Sequence, residues 1–354
     1  MNTNEMSQQP DERVRVLRIL DAAANRAGEG LRVVEDYVRF ALDDLHLTGV
    51  AKQLRHDLAA VVAEIPPSDR HAARETQADV GTTLATTAES ARADAQGVAA
   101  ASLQRAEQAL RSLEEYSKTI APQFGAQFEA FRYRLYTLER AVTITADSIA
   151  RLADARLYVL IDGQSSESEL VTMAEALFAT GVDVMQLRDK KLVDRELLAR
   201  ARRLAEVSRR IGKLFIMNDR PDLAVLAGSD GVHVGQDELT VKDARTIVGP
   251  RMLIGVSAHS LEQARAAVLA GANYIGVGPT FPSDTKSFTE FTGVGLLKAV
   301  AAEIRLPAFA IGGINGENLN EVLAAGMSRI AVSGGVLSDA NPAEAARKLR
   351  AHLA

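Results

Sequence analysis

The feature that most constrains the fold is a series of short apolar segments that alternates with amphipathic helical patterns from residue 157 onward. Each segment is too short for a helix and long enough for a buried strand. Between two of them, Leu197, Leu198, Ala201, Leu204 and Val207 recur at the spacing of one helix face. The eight candidate strands cover residues 157–161, 182–187, 213–217, 231–234, 253–256, 274–277, 308–311 and 329–332.

Eight strand-then-helix units predict an α/β fold, a closed parallel (β/α)8 or TIM barrel. Several predicted helices end in a glycine just before the next strand, the C-cap position where a left-handed conformation is needed. These glycines are Gly181, Gly212, Gly271 and Gly326. An open, doubly wound sheet is the alternative, and the absence of G-x-G-x-x-G after the first strand disfavours it.

The chain before residue 151 is different, since residues 11–150 are rich in Ala, Arg, Glu and Leu and have almost no strand signal. Helical patterns fill most of it, resuming over about 98–118 and 124–152. The Pro66-Pro67 pair ends one helix, and the polar sequence that follows to about Gln96, with residues 79–82, predicts a long loop. We therefore expect an all-α helical-bundle domain over 1–150 and a barrel domain over 151–354.

The helical half contains an internal repeat, because residues 25–37 align without gaps on residues 104–116. The repeat places Arg32 and Glu35 on adjacent turns of one helix face, as it does Arg111 and Glu114. One interpretation is two surface ion pairs, each worth less than about 1 kcal/mol. The other is a shared, partly buried site for an anion.

Composition excludes several functions. The 354 residues include no cysteine and no tryptophan, and the net charge is −5. Thiol chemistry and disulfides are thus excluded, and neither nucleic-acid binding nor base stacking is favoured. No apolar run approaches the roughly 18 residues that cross a bilayer, and the polar N-terminus is unlike a secretory signal. We expect a soluble cytoplasmic protein that binds neither nucleic acid nor membrane and could form a homo-oligomer.

The carboxyl ends of the predicted strands are unusually polar, and in a parallel barrel these ends form one mouth. Arg188, Lys190 and Lys286 supply cations, whereas Asp219 and either Asp237 or Glu238 supply carboxylates. A Mg²⁺ ion that bridges the carboxylates to a diphosphate would keep the opposite charges from neutralising each other. Glycines 312, 313, 334 and 335 follow the last two strands, where barrels commonly bind phosphate, although tight turns would also need them.

Two histidines near these ends are candidate general bases. His233 alternates with Val232 and Val234, so it is expected to point into the barrel, more as a hydrogen-bonded structural residue than as a base. His259 follows the fifth strand. No Ser/His/Asp spacing stands out, which suggests that electrostatics and positioning carry the reaction.

Seven sequence runs resemble the thiamine phosphate synthase family in order and spacing over about 200 residues. They are QLRDK (186–190), MND (217–219), GVHVGQ (231–236), GVSAHS (255–260), GPTFPSDTKS (278–287), AIGGI (310–314) and VSGG (332–335). The resemblance implies a transferase of thiamine biosynthesis. Such an enzyme joins a hydroxymethylpyrimidine diphosphate to a thiazole phosphate, releases pyrophosphate and uses Mg²⁺, by a dissociative reaction.

The resemblance also implies the site residues. Arg188, Lys190, Ser257 and Lys286 would be catalytic, and Asp219 with Glu238 would bind the metal, although Asp237 could replace Glu238. The substrate-binding set would be Gln186, Leu187, Arg188, Asp189, Lys190, Asn218, Ser257, Ser283, Thr285, Lys286, Gly313, Val332 and Ser333. The family commonly has the metal ligand last in Gly-Gln-Glu-Asp or Gly-Gln-Asp-Asp, where this chain has Gly-Gln-Asp-Glu over 235–238. It also usually has Thr-Pro where this chain has Ser283-Asp284.

The helical half resembles a domain fused ahead of the synthase in some bacteria, with NRAxEGLRVxE as its hallmark, here residues 25–35. The resemblance implies a pyrimidine phosphate kinase, but no Walker-type loop is present, and a structural or dimerising bundle is equally compatible. For the barrel, a thiazole tautomerase, another phosphate-handling isomerase and a non-catalytic sensor of thiamine precursors are the alternatives. The joint presence of Lys190, Asn218, Asp219 and Lys286 favours the synthase.

Overall fold

The computed structural model describes residues 10–75, 92–282 and 291–353. The chain divides into two compact units, Met1–Thr143 and Ile144–Ala354. The helices of the first unit are α1 (Pro10–Phe40), α2 (Leu45–Ala63), α3 (Pro67–Ala73), α4 (Ala95–Ile120) and α5 (Gln123–Arg151), of which α5 continues past the division.

Helices α2 and α4 begin with side-chain caps, and helices of this unit pack through small residues. Asp44 accepts a hydrogen bond from the Leu47 N–H at 2.8 Å, which satisfies a free donor at the start of α2. Helices α1 and α4 approach closely at Gly30, where an added Cβ would lie 2.8 Å from the Ser102 carbonyl oxygen. A larger residue there would force the two helices of the repeat apart.

The prediction of an unbroken loop from Pro66 to about Gln96 is wrong at its start. Helix α3 begins at Pro67, because a proline in the first turn has no N–H to leave unsatisfied and already has a helical φ. The predicted loop residues 79–82 lie outside the described residues.

The second unit is a closed barrel of eight parallel strands in sequential order, as predicted, and the open-sheet alternative is excluded. The strands are β1 (Leu157–Ile161), β2 (Val184–Leu187), β3 (Leu214–Asn218), β4 (Gly231–Val234), β5 (Leu253–Ala258), β6 (Tyr274–Val277), β7 (Ala308–Ile311) and β8 (Ile330–Val332). The helices are α6 (Glu167–Ala179), α7 (Asp194–Ile211), α8 (Pro221–Ala227), α9 (Val241–Val248), α10 (Leu261–Ala270), α11 (Gly293–Glu303), α12 (Leu319–Ala324), α13 (Gly334–Leu337) and α14 (Pro342–Ala351).

The lower part of the barrel is filled by alternate residues of the strands. Tyr158, Val184, Ile216, Leu253 and Phe309 belong to one buried cluster, while their neighbours along each strand pack outward against the helices. The four predicted C-cap glycines all have positive φ, between 74° and 97°. Within the described ranges, no helix is long and apolar enough to cross a membrane.

Candidate active site

A cavity of about 1100 Å³ opens at the carboxyl ends of the strands and reaches down into the barrel. Parallel barrels place their ligand sites at this end, because the loops after all eight strands converge there. Nearly every predicted site residue in the described part of the chain contributes to the lining. They are Gln186, Arg188, Asp189, Lys190, Asn218, Asp219, Glu238, Ser257, Gly313, Val332 and Ser333.

The loop after β2 presents two cations and is held by a carboxylate. Arg188 is half-buried in the cavity wall and forms no ion pair with any described residue. Asp189 accepts N–H groups of Gly163, Lys191 and Leu192 at 2.8–3.0 Å. Burial raises the pKa of Asp189, but these three donors outweigh it, and the pKa falls below its usual value. Asp189 therefore fixes the loop that carries Arg188 and Lys190.

The end of β3 carries Asp219 in a left-handed conformation, with φ of 59°. Asparagine and aspartate tolerate this region better than other non-glycine residues, and such outliers cluster at functional sites. The Asp219 N–H donates to the His233 carbonyl at 2.8 Å, which fixes the turn. Asp219 lies 3.5 Å from Lys190 Nζ and is partly exposed to the cavity. Its neighbour Arg220 is paired with Asp194 and Asp222 and does not line the cavity.

The loop after β4 distinguishes the two carboxylates left open by the sequence. Glu238 lines the cavity, and its carboxylate folds back so closely over Gly235 that a Cβ there would collide with it. Asp237 is exposed and does not line the cavity. Gln236 donates to the Ser257 carbonyl and ties this loop to β5.

A hydrogen-bonded set of five side chains, which we call the polar floor, closes the bottom of the cavity. It consists of Tyr158, Gln186, His233, Ser257 and Tyr274. Burial lowers the pKa of the His233 imidazole to about 4 and raises the pKa of both tyrosines. The floor is therefore uncharged near neutral pH. Although Gln186 is only 2% exposed, its Oε1 has no hydrogen-bond partner among the described residues.

The opposite side of the mouth is built from backbone. Strands β3 and β7 are four strands apart in a closed ring of eight, so the loops after β7 and β8 face the charged loops. Gly312 and Gly313 have φ of 99° and 62°, and a Cβ on Gly313 would lie 2.3 Å from the Pro282 carbonyl oxygen. Glycine is required here, and peptide groups of both loops come close to the cavity.

Four predicted residues do not line the described cavity. Ser283, Thr285 and Lys286 lie outside the described residues. Leu187 is fully buried and is not a lining residue. Within the described part of the chain, no group of three or more histidines and carboxylates is arranged around one metal position.

Sequence reasoning missed Tyr158 and Tyr274. Their signal was a tyrosine inside short strands that are otherwise aliphatic, and Tyr274 is also paired with a glycine on the neighbouring strand. Gly255 makes room for the Tyr274 ring, since an added Cβ would lie 2.1 Å from Tyr274 Cζ. His233 does face the cavity as a hydrogen-bonded residue, as predicted.

The repeated glutamates of the helical unit are buried, and each is held by two arginines. Glu35 pairs with Arg32 and with Arg55 of α2, whereas Glu114 pairs with Arg111 and with Arg132 of α5. The glutamate side chains are 4% and 5% exposed. The described contacts therefore form two copies of one clamp, each within its own helix pair.

The barrel and its mouth define a (β/α)8 enzyme that handles phosphorylated small molecules. Residues 157–336 match the family model described as thiamine monophosphate synthase, and residues 18–141 match the ThiD2 family. A thiamine-phosphate synthase of Rhodopirellula baltica is 46% identical over 90% of this chain and 88% of its own. One of Synechocystis sp. is 40% identical over 96% of both chains.

A solved structure, thiamine phosphate pyrophosphorylase from Pyrococcus furiosus, has a TM-score of 0.51 and 34% identity. The match covers 56% of this chain and 96% of that chain. The chain belongs to the thiamine monophosphate synthase family and carries an N-terminal ThiD2 domain. The predicted fold, the predicted synthase function and the transferase class are thereby confirmed.

Proposed function

We propose that this chain makes thiamine phosphate in the barrel cavity from the pyrimidine diphosphate and the thiazole phosphate, with the predicted residues in the roles given below. The observation that carries the assignment is the division of the mouth. Cations and carboxylates lie after β2 to β4, which we call the charged arc, and glycine-rich backbone lies after β7 and β8, which we call the glycine arc. Two chemically different anion sites face each other across one cavity.

The cavity is large enough for two substrates. Ligand pockets commonly measure about 300–1,000 Å³ for a single drug-sized molecule, and this cavity has about 1100 Å³. A pyrimidine and a thiazole bound side by side would each keep a phosphorylated end in contact with its own arc. Holding the two reacting atoms together in this way supplies much of the rate acceleration.

The diphosphate is assigned to the charged arc. The Arg188 guanidinium forms no ion pair with a described residue, and Lys190 can turn from Asp219 to a phosphate oxygen because its side chain is 62% exposed. Ser257 adds a hydroxyl donor at the end of β5. Lys286 is assigned to the same anion from the sequence. Donors at this position stabilise the negative charge that grows on the leaving diphosphate.

The donor set of the charged arc fits Mg²⁺. Asp219 and Glu238 are two carboxylates on neighbouring loops of one cavity, and Mg²⁺ prefers one or two carboxylates together with phosphate oxygens. We assign the ion to these two residues and Asp237 to the surface. Bound there, Mg²⁺ would neutralise charge on the diphosphate.

The pyrimidine is assigned to the polar floor. The Oε1 of Gln186 is a buried acceptor with no partner among the described residues, and an aminopyrimidine carries a donor for it. Asn218 lines the same side of the cavity and can both donate and accept. Asp189 and Leu187 shape this region without offering a free polar side chain.

The thiazole phosphate is assigned to the glycine arc. Gly313, Val332 and Ser333 bring backbone to the cavity after the last two strands, the common phosphate position of such barrels. Ser283 and Thr285 are assigned to the same phosphate from the sequence. A site built from peptide dipoles binds the monophosphate without cations that would compete for the diphosphate.

The proposed reaction is dissociative and needs no protein nucleophile. The carbon–oxygen bond between the pyrimidine methylene and the diphosphate breaks, and its electron pair leaves with pyrophosphate. The thiazole nitrogen then donates its lone pair to the pyrimidine cation and forms the new carbon–nitrogen bond. The uncharged polar floor fits this step, because it places no positive charge beside the pyrimidine cation.

The test mixes purified protein with both substrates, with and without Mg²⁺, and measures thiamine phosphate. Magnesium-dependent product is expected from the wild type. Asp219→Asn should abolish most of it, whereas Asp222→Asn, three residues away but paired with Arg220 outside the cavity, should not. Glu238→Gln should raise the Mg²⁺ requirement and Asp237→Asn should leave it unchanged. Equal losses from Asp237→Asn and Glu238→Gln would contradict the metal assignment.

A parallel reaction with the pyrimidine monophosphate and ATP addresses the helical unit. Product there that disappears in Arg32→Ala, while the first reaction persists, would indicate a kinase role for that unit. The possible homo-oligomer and the cytoplasmic location stay predictions.

A further inference from the structure

The polar floor is one unbroken chain of hydrogen bonds that crosses the barrel. Gln186 Nε2 lies 2.7 Å from the Tyr158 hydroxyl, which lies 3.1 Å from the Tyr274 hydroxyl. Tyr274 is 3.3 Å from Nδ1 of His233, and Nε2 of the same ring is 3.1 Å from Ser257 Oγ. The chain therefore runs from the proposed pyrimidine pocket to the proposed diphosphate site.

When each hydroxyl in the chain donates one hydrogen bond and accepts one, the first donor sets the direction of every bond. An amide nitrogen can only donate, so the Tyr158 hydroxyl accepts from Gln186 and must give its own hydrogen to Tyr274. Tyr274 must then donate to Nδ1 of His233. A neutral imidazole with an accepting Nδ1 carries its hydrogen on Nε2, which donates to Ser257 Oγ.

We infer that His233 is a positioning residue that holds Ser257 as a hydroxyl donor toward the leaving diphosphate. Because Nε2–H already occupies a lone pair of Ser257 Oγ, the hydroxyl hydrogen turns away from His233 and into the cavity. This inference rests on the proposed function, since the diphosphate is the anion that receives the hydrogen. It adds Tyr158, Tyr274 and His233 to the residues on which the reaction depends.

The opposite arrangement has the opposite consequence. If Gln186 presented its oxygen to Tyr158, the direction of each hydrogen bond would reverse. Nδ1 of His233 would then carry the hydrogen, and the Ser257 hydroxyl would donate its hydrogen to Nε2 of His233. Ser257 could then offer the diphosphate no donor. The tautomer of one buried histidine therefore decides between a serine that donates to the substrate and one that cannot.

The neighbouring strands are built to accommodate this chain. Gly255 leaves the space in which the Tyr274 ring lies, and Gly276 leaves His233 Cε1 at 3.3 Å from where a Cβ would be. Phe309 packs edge-on against both tyrosine rings, with centroids 5.3 and 5.7 Å away, and fixes them without a hydrogen bond. Packing and hydrogen bonding can therefore be perturbed separately.

The direct test is ¹⁵N NMR of the histidine rings in the full-length protein. The His233 signals are assigned by their loss in His233→Gln. We expect a protonated Nε2 and an unprotonated Nδ1 in the wild type, and a mixture of tautomers in Tyr274→Phe, which removes the donor to Nδ1. A wild-type His233 protonated on Nδ1 overturns the inference. The measurement needs no activity, so it stands apart from any failure of the synthase assay.

The kinetic test is a double-mutant cycle between Tyr274 and Ser257. Ser257→Ala should lower kcat about 100-fold, as for loss of a donor to developing charge. Tyr274→Phe should lower kcat about tenfold, the scale for residues behind a ligating group, with little change in KM for the thiazole. In the Ser257→Ala background, Tyr274→Phe should lower kcat by less than about twofold, because its effect on the reaction depends on Ser257.

Two further variants separate positioning from packing. Phe309→Leu loosens the tyrosine rings but removes no hydrogen-bonding group, so it should lower kcat less than Tyr274→Phe does. His233→Gln, whose amide can still donate toward Ser257, should retain more activity than His233→Leu. Full additivity between Tyr274→Phe and Ser257→Ala would overturn the inference, and so would equal activity of the two His233 variants.

Discussion

The helical unit and the barrel mouth use arginine in opposite ways. In the helical unit, Glu35 and Glu114 are buried and each is contacted by two arginines, so the charges are neutralised within the fold. In the barrel mouth, Arg188 has no carboxylate partner among the described residues, and Lys190 reaches Asp219 at a loose 3.5 Å. The same side chain therefore stabilises one region and remains available to a ligand in the other.

The difference follows from where each charge is desolvated. A buried glutamate must be paired when the chain folds, because an unpaired buried charge costs several kcal/mol. A cation at an open mouth keeps its hydration until a ligand displaces the water. Substituting one arginine in each region, and comparing the effects on activity and stability, tests this contrast most directly.

The largest effect is expected from Arg188→Met. It should lower the rate of thiamine phosphate formation by about 100- to 1,000-fold, since it removes a cation from the proposed leaving group. The free energy of unfolding should change by less than about 0.5 kcal/mol, because no residue in the described ranges pairs with this charge. Steady-state kinetics and chemical denaturation measure the two quantities. A variant that loses stability and activity in proportion would show that Arg188 is structural.

The reverse pattern is expected from Arg132→Met in the helical unit. Of its described partners, Glu114 would keep Arg111 and Lys118, whose side chains are 55% and 47% exposed. We expect a loss of about 2–3 kcal/mol, below the 3–5 kcal/mol of a fully orphaned buried charge. Synthase turnover below the unfolding transition should not change. Calorimetry measures the stability of Arg188→Met and Arg132→Met side by side. A lower stability of Arg188→Met would contradict the contrast between the two regions.

A smaller effect concerns the carboxyl pair of Glu107 and Glu139. Burial, with the neighbouring Glu139 carboxyl, raises the pKa of Glu107 from 4.5 to about 7. Between pH 4.5 and about 7, Glu107 is more fully protonated in the folded state than in the unfolded state. The protonated carboxyl therefore contributes stability at low pH, and this contribution is lost as the pH rises toward 7 and above. Glu107→Gln should therefore raise Tm relative to the wild type at pH 8.

The advantage of Glu107→Gln should disappear near pH 5, where the wild-type carboxyl is already neutral. Glu129→Gln, at an exposed position of α5, is the matched control and should give the wild-type profile. A constant difference in Tm between Glu107→Gln and the wild type from pH 5 to pH 8 would show that the pair does not share a proton.

The smallest effect is expected from Asp57→Asn, which removes an ion pair with Arg134 at 2.7 Å. The Arg134 and Asp57 side chains are 46% and 33% exposed, so the loss should be less than about 1 kcal/mol and should shrink further in high salt. Urea titrations at low and high salt measure it. A loss of stability as large as that of Arg132→Met would show that the buried ion pairs of Glu35 and Glu114 stabilise the fold no more than exposed ion pairs do.

Much of the barrel could be predicted because its signals are local. Strand lengths, helix faces and the glycines at 181, 212, 271 and 326 are set by neighbours in sequence, and the structure places them as expected. The clustering of Arg188, Asp219 and Ser257 also followed, since parallel strands in a closed barrel bring their carboxyl ends together. Helix α3 was missed because a proline pair ends one helix and begins the next with equal ease.

The sequence by itself determined the alternation of strands and helices, the positions of the chain reversals and the chemical types that gather at the mouth. These depend on periodicity and on residue chemistry, which neighbouring residues carry. Only the tertiary structure decided that Tyr158, Tyr274 and His233 form one chain and that Glu238 rather than Asp237 faces the cavity. It also decided that Arg188 has no ion-pair partner among the described residues, whereas Arg132 has one. Those facts depend on distances between residues far apart in the chain, and such distances exist only once the barrel has closed and the helices have packed.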